Sequence, residues 1–369
     1  MKRYIMAFDS FKGSLTSRQA NAAAAEGARR ADPACSVREI AVADGGEGTL
    51  DALASALGCT VRHCKSVDAA GRAIESEYAV TPDGDTAIIE TASTIGLPRI
   101  EPELRHPLML SSRGVGMQIA DAIAAGCRNI IICIGGTATV DGGVGMLRAL
   151  GARFLDREGC GATSIIDICS VDVSGLPQGV KFVGFHDVTN TLCGANGAPE
   201  IFGPQKGATR DEIVILDKAL SLLADVAVDA GMADCRNMPG AGAGGGIGFA
   251  LAAFLGADMK SGAAEVLKLT GLDSLLDDAD AVFTGEGRVD RSTLFGKTPF
   301  EVLQLAKSKS VPVYALGGSV DAAQNLIDAG FSEVCGIVPE GQPLSEAMIP
   351  AQAAKNLADT VEKLVRKLT

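Results

Sequence analysis

Five short stretches of this chain set glycine beside carboxylates and hydroxyls. They are "DSFKGS" at 9–14, "ADGGEGT" at 43–49, "GGTATVDGG" at 135–143, "HDVTN" at 186–190 and "TGEGRVD" at 284–290. Glycine lets the backbone come close to a ligand. Helix N-termini that follow such loops offer N–H groups and partial positive charge to an anion. The carboxylates on offer are Asp9, Asp44, Glu47, Asp141, Asp187, Glu286 and Asp290, and the cations beside them are Lys12, Lys206, Arg288, Arg291 and Lys297. Phosphoryl transfer needs this mixture: cations and a metal to spread charge, and a carboxylate to orient the attacking hydroxyl. One loop alone would pass as an ordinary turn; five together point to a metal–phosphate site.

Two motifs imitate other chemistries. "FGKT" at 295–298 ends like a P-loop, but Arg291 stands where the first glycine of G-x-x-x-x-G-K-[ST] belongs, so the phosphates are expected on several strand-end loops instead. "PGAGAGGGIG" at 239–248 contains G-x-G-x-x-G at Gly240, Gly242 and Gly245. A dinucleotide fingerprint must follow a strand, whereas here "ADCRNM" and Pro239 precede it, and proline cannot pair in a central strand. Close helix packing or a substrate-facing loop are the readings left for it. Of the histidines, His63 and His106 read as structural, while His186 beside Asp187 is the one candidate for function. No G-x-S-x-G elbow accompanies them, which disfavours a serine hydrolase.

These loops need strands and helices to hold them. "RYIMAF" reads as a first strand, and Thr16 with Gln19 as a capping box opening an Ala-rich helix. "VREIAV" and "GTLDALASALG" continue the strand–helix alternation. It returns at the C-terminal end, with "DAVFTGEG", "VPVYALGG" and "SEVCGIVP" as strands between helices. Such alternation predicts a parallel sheet covered by helices. Between them, "TVRHCKSV", "AIESEYAV" and "TAIIETAS" are closely spaced strands, with a hairpin turn at Pro82-Asp83-Gly84-Asp85. The break predicts a discontinuous α/β domain of residues 1–65 and 275–369, with a second α/β domain of 66–274 inserted.

Bulk properties narrow the partners. The 369 residues suggest two domains. Hydrophobic residues make up 47% and aromatics 4%, with no Trp, so the core must be aliphatic. A net charge of −12 without basic runs argues against nucleic acid. The ten cysteines carry no C-x-x-C or zinc spacing and read as small buried hydrophobes of a reducing compartment. The first apolar run ends at Phe8, too short for a signal peptide, and no stretch is long enough to span a membrane. A cytoplasmic protein is expected.

Taken in order, "DSFKGSLTS", "VADGGEGT", "IGGTATVDGG", "NGAPEIFGPQKGA", "PGAGAGGGIG" and "TGEGRVDRSTLFGKTP" resemble the bacterial glycerate kinase family, from about residue 4 to the last helix. The resemblance implies phosphorylation of D-glycerate by ATP with Mg²⁺, more often at the 2-hydroxyl, and a flavodoxin-like domain carrying an inserted one. It departs from the family's pattern at Val140, His186 and Thr191. Lys12 and Asp44 are the expected catalytic residues: the lysine steadies the substrate carboxylate or the transferring phosphate, and the aspartate acts as general base. Asp9, Ser10, Glu47 and Arg288 are expected to bind substrate. Gly135, Gly136, Thr137, Gly285, Gly287 and Lys297 are expected to bind ATP, with Asp187 and Glu286 on the metal or its water shell.

Overall fold

The computed structural model describes all 369 residues. The chain divides into two units: residues 1–44, 51–57 and 263–369 make the first, and 45–50 and 58–262 the second. In chain order the strands are β1 (Arg3–Phe8), β2 (Ser36–Glu39), β3 (Thr60–Val67), β4 (Ala73–Val80), β5 (Thr86–Glu90), β6 (Asn129–Ile134), β7 (Arg153–Leu155), β8 (Ser170–Asp172), β9 (Lys181–His186), β10 (Asp258–Ser261), β11 (Ala281–Val289), β12 (Val313–Val320) and β13 (Glu333–Gly336).

The first unit holds a parallel five-stranded sheet in the order β13-β12-β11-β1-β2. Counted within the unit, this is the 2-1-3-4-5 order of flavodoxin-like folds, whose order reverses between β1 and β11. Crevices for ligands open outside the carboxyl ends of strands at such a reversal. Both faces of the sheet are covered, so β1 is apolar from Tyr4 to Phe8, each at most 2% exposed. Thr16 and Gln19 form the capping box of helix Ser17–Ala31. Its Ala20, Ala24 and Ala28 are buried. At Gly27 it passes so close to the C-terminal helix Pro350–Arg366 that any side chain would strike the Ala358 carbonyl.

The first turns of helix Ser17–Ala31 lock the ends of β1 and β2. The Asn21 side chain accepts from the Phe8 N–H at 2.9 Å and donates to the Ile40 carbonyl at 2.8 Å. Ser17 Oγ donates to the Phe8 carbonyl at 2.6 Å and accepts from the Val42 N–H at 3.0 Å. Asp9 follows Phe8 directly and Asp44 lies just beyond Val42, so the stitch aims two carboxylates from adjacent strand ends.

β11 corrects one expectation. "TGEGRVD" is not a loop after a strand: β11 continues to Val289, with Glu286 opposite Gly317 and Arg288 opposite Ser319 of β12. β1 stops earlier, at Phe8 opposite Gly285. The overhang of β11 past β1 leaves residues 286–288 without a strand partner on that side, which is how strand residues come to line a crevice.

The second unit carries a six-stranded sheet, β10-β9-β6-β5-β4-β3. β5, β6, β9 and β10 are parallel, and β3-β4-β5 form an antiparallel meander turning at 81–85. β7 and β8 make a separate small hairpin. Two boundaries differ from expectation. β3 pairs with β4 along its whole length, so the second unit takes over at 58 and not at 66. Leu267, Leu272 and Leu276 pack into the first unit's core, so that unit resumes at 263 and not at 275. The cysteines are all free, but only Cys64, Cys127 and Cys133 are buried, and Cys160 and Cys169 are exposed.

Asn21→Ala strands the Phe8 N–H and the Ile40 carbonyl in a dry interior. Orphaned buried groups cost on the order of 1–3 kcal/mol. The urea midpoint should fall at unchanged slope, and turnover should fall with it because Asp9 and Asp44 lose their anchor.

Candidate active site

In the first unit a cavity of about 390 Å³ opens at the reversal between β1 and β11. Asp9, Ser10, Lys12 and Asp44 line it from the loops after β1 and β2. Glu286, Gly287 and Arg288 line it from the β11 overhang, and Lys297 from the start of helix Thr298–Ser308. Eight residues singled out in the sequence are thus brought together here. Gly285 is not among them: it sits in the ladder opposite Phe8, its carbonyl accepting from the Asp9 N–H at 2.9 Å. Gly287 is where the Phe11–Lys12 backbone passes over β11, the Lys12 nitrogen lying 3.5 Å from the place a Cβ would take.

The electrostatics follow from this crowding. Asp9 is buried, accepting from the Ser10 N–H at 2.6 Å and from Thr298 Oγ1 at 2.7 Å. Burial, and then the neighbouring Asp44 charge, push its carboxyl well above the usual carboxylate range. Lys12 Nζ stands 3.8 Å from Asp44. Burial also raises Glu286, against the pull of Lys297 at 3.1 Å and the Thr293 hydroxyl at 3.0 Å. Arg288 pairs with Asp290 at 2.7 Å on the rim. The P-loop look-alike is explained at the same time. Lys297 holds Glu286 and Thr298 holds Asp9, so the Gly-Lys-Thr run clamps two carboxylates. The sequence pattern missed Thr298 because it was read against a phosphate motif.

The remaining candidates belong to the second unit. Gly135 is buried, its backbone tight against Gly46, while Gly136 is exposed at φ +64°. Thr137 is buried and accepts from Lys206 Nζ at 3.1 Å; the same ammonium donates to the Thr139 carbonyl at 2.8 Å. Asp141 caps the next helix, Val144–Ala149, accepting from the N–H groups of Gly143 and Gly145 at 3.1 Å each and from the Ser112 N–H and hydroxyl at 2.8 Å each. Glu47 is exposed, Asp187 is half-buried after β9, and Val140 is fully buried. The glycines of "PGAGAGGGIG" serve packing. Gly244, Gly245 and Gly246 all take positive φ, and the Gly245 carbonyl accepts from the Gly142 N–H at 3.0 Å. A side chain at Gly240 would run into the His186 ring, whose pKa burial lowers. No strand leads into this run, so it lacks the setting of a dinucleotide fingerprint.

Comparison with known proteins bears on both units at once. A family model described as the glycerate kinase family matches residues 4–369. A glycerate kinase of Bacillus subtilis (strain 168) is 39% identical, over 99% of this chain and 96% of its own. A glycerate 2-kinase of Escherichia coli (strain K12) is 40% identical, over 97% of this chain and 98% of its own. The crystal structure of a Salmonella typhimurium LT2 protein assigned as glycerate kinase 2 superposes with a TM-score of 0.85 at 36% identity, covering 100% of this chain and 98% of that one.

Lys206 yields a pH prediction. Burial lowers its ammonium to about 7, a nearby Asp141 charge opposing. Its folded value therefore lies below the unfolded one of ~10.4. Between these values the unfolded chain binds more protons, so stability rises with pH across that window and is flat below it. Denaturation of wild type and Lys206→Met at pH 7 and pH 10 should show the wild type gaining relative to the variant at the higher pH.

Proposed function

The chain belongs to the glycerate kinase family, and from that premise we propose that it transfers the γ-phosphoryl group of ATP to the 2-hydroxyl of D-glycerate, giving 2-phosphoglycerate and ADP. The observation that carries the reading is the first-unit cavity, where Asp44 and Lys12 stand 3.8 Å apart among further carboxylates and cations. Asp44 orients the hydroxyl and takes its proton as the glycerate oxygen bonds to phosphorus and the bond to the β-phosphate oxygen breaks. Lys12 neutralises the acid's carboxylate or the transferring group, with Asp9, Ser10 and Arg288 completing the substrate's surroundings. Lys297 and Gly287 face the nucleotide phosphates. In the second unit Gly135, Gly136 and Thr137 are proposed to meet a phosphate through their backbone, with Glu47 a substrate contact.

Mg²⁺ suits the donors present. No group of three or more His, Cys, Asp or Glu forms a closed cage, and Mg²⁺ usually takes one or two carboxylates together with phosphate oxygens and water. Burial, and then the neighbouring Asp44 charge, disfavour the charged form of Asp9, and a hard cation in the cavity would stabilise that form. Glu286 would hold the ion or its water shell, and Asp187 is proposed for the same task at its own strand end. Bound there, the metal would neutralise charge on the phosphates. No helix is long and apolar enough to cross a membrane. A cytoplasmic enzyme acting on small molecules, without nucleic acid, fits the charge of −12.

Release of ADP should depend on D-glycerate, and the product should feed enolase directly without a mutase; a product requiring the mutase would reassign the hydroxyl. Asp44→Asn, which would still cap a helix, should lower turnover on the order of 10²-fold or more at unchanged melting temperature. Near-normal turnover in both Asp44→Asn and Lys12→Ala would remove these residues from the chemistry.

A further inference from the structure

The first-unit cavity has two unlike halves, and a three-carbon acid accounts for only one of them. The polar half carries the carboxylates and cations described above. The other half is apolar: Ile337 and Val338 after β13, Leu344 and Met348 on and just after the short helix Leu344–Ala347, and Ala353 on the C-terminal helix. Ile337 and Ala353 are core residues, but Leu344 is 72% exposed and Met348 40% exposed. With Ile337 and Val338 they give the cavity one continuous apolar wall. The volume agrees. At about 390 Å³ the cavity falls in the range of roughly 300–1,000 Å³ that takes drug-sized ligands, more than glycerate with its few heavy atoms requires.

We propose that this apolar wall is the purine subsite: the base of ATP packs against Leu344, Met348, Ile337 and Val338, and its phosphates run toward Lys297 and Lys12. The proposal rests on the kinase reading and places the nucleoside within the first unit. The chemistry of the wall fits a flat heteroaromatic ring. A methionine thioether is flexible and polarizable and makes favourable contacts with aromatic faces. Met348 Cε lies 3.1 Å from where a Cβ on Gly13 would sit. Gly13 adopts φ +78° in the "DSFKGS" loop, so the loop that carries Lys12 bends against the same wall. The exposed Ser319 hydroxyl, also lining the cavity, offers a polar contact to the base or ribose. Apolar wall, bend and cations thus form a continuous track of the kind a nucleoside triphosphate requires: apolar at one end and cationic at the other.

The test uses the full chain with Leu344→Ser, Met348→Ser and the double substitution, titrated calorimetrically with ADP and with inorganic tripolyphosphate. Leu344 and Met348 are exposed, so the variants should keep the wild-type melting temperature. ADP affinity should fall about tenfold or more in the double variant, the scale of losing contact with one large apolar side chain. Tripolyphosphate, which has no base, should bind all four proteins alike, and in steady state KM for ATP should rise while KM for glycerate does not. Unchanged ADP affinity in the double variant, or an equal loss for tripolyphosphate, would overturn the subsite. If wild type binds ADP by this wall yet releases none in response to glycerate, the kinase reading fails while the subsite stands. If glycerate-dependent turnover is present and the variants bind ADP normally, the reverse holds.

Discussion

The first unit is organised around one constraint: carboxylates kept close together with little water to solvate them. Asp9 is buried beside Asp44, so the charged form of its carboxyl is disfavoured, and loose strand ends would separate the pair. Ser17 and Asn21 resist this by bonding the last backbone groups of β1 and β2 to one helix. Thr298 holds Asp9 from the other side, and Lys297 holds Glu286. Strand order, capping box and the Gly-Lys-Thr turn all serve the same end, a crevice that keeps carboxylates and cations close together. Groups held in place in this way need little rearrangement, which is the preorganisation phosphoryl transfer uses.

The second unit solves a similar problem with the opposite charge. Lys206 is buried at the end of the helical turn Pro204–Lys206 and bonded to Thr137 and Thr139, while Asp141, two residues beyond Thr139, gathers four donors. Fully bonded buried groups of this sort rigidify the backbone around them. The glycines at 244–246 let a second loop lie directly on this one. The glycine excess of the sequence is thereby explained in physical terms: much of it permits backbone to rest on backbone.

Much of this was legible in the residues. Strand and helix identities followed from period and caps, as with Thr16–Gln19 and the Pro82–Asp85 turn, because these signals are local. The grouping of Lys12 with Asp44 was also readable, since both follow neighbouring strands at the N-terminal end. What could not be read depends on distant pairing. How far β11 runs past β1 is set by the ladder with β12, and no local signal marks it. The partners of Lys297 and Thr298 lie 11 and 289 residues away, so the sequence could dismiss the P-loop at Arg291 without showing what the run holds. The boundary at 58 depends on β3 finding β4, and the buried bonds of Lys206 depend on a loop nearly 70 residues earlier. Leu344 and Met348, on and just after a short helix, carry no local signal of the cavity beside them.

The central claim is that ligands meet at the carboxyl ends of β1 and β11 in the first unit. The most direct measurement is a crystal structure of the protein with a non-hydrolysable ATP analogue, Mg²⁺ and D-glycerate. The account predicts a glycerate hydroxyl within hydrogen-bond distance of Asp44, with the terminal phosphate next to it on the side of Lys12 and Lys297. Density for both ligands remote from Asp9, Asp44 and Glu286 would contradict it.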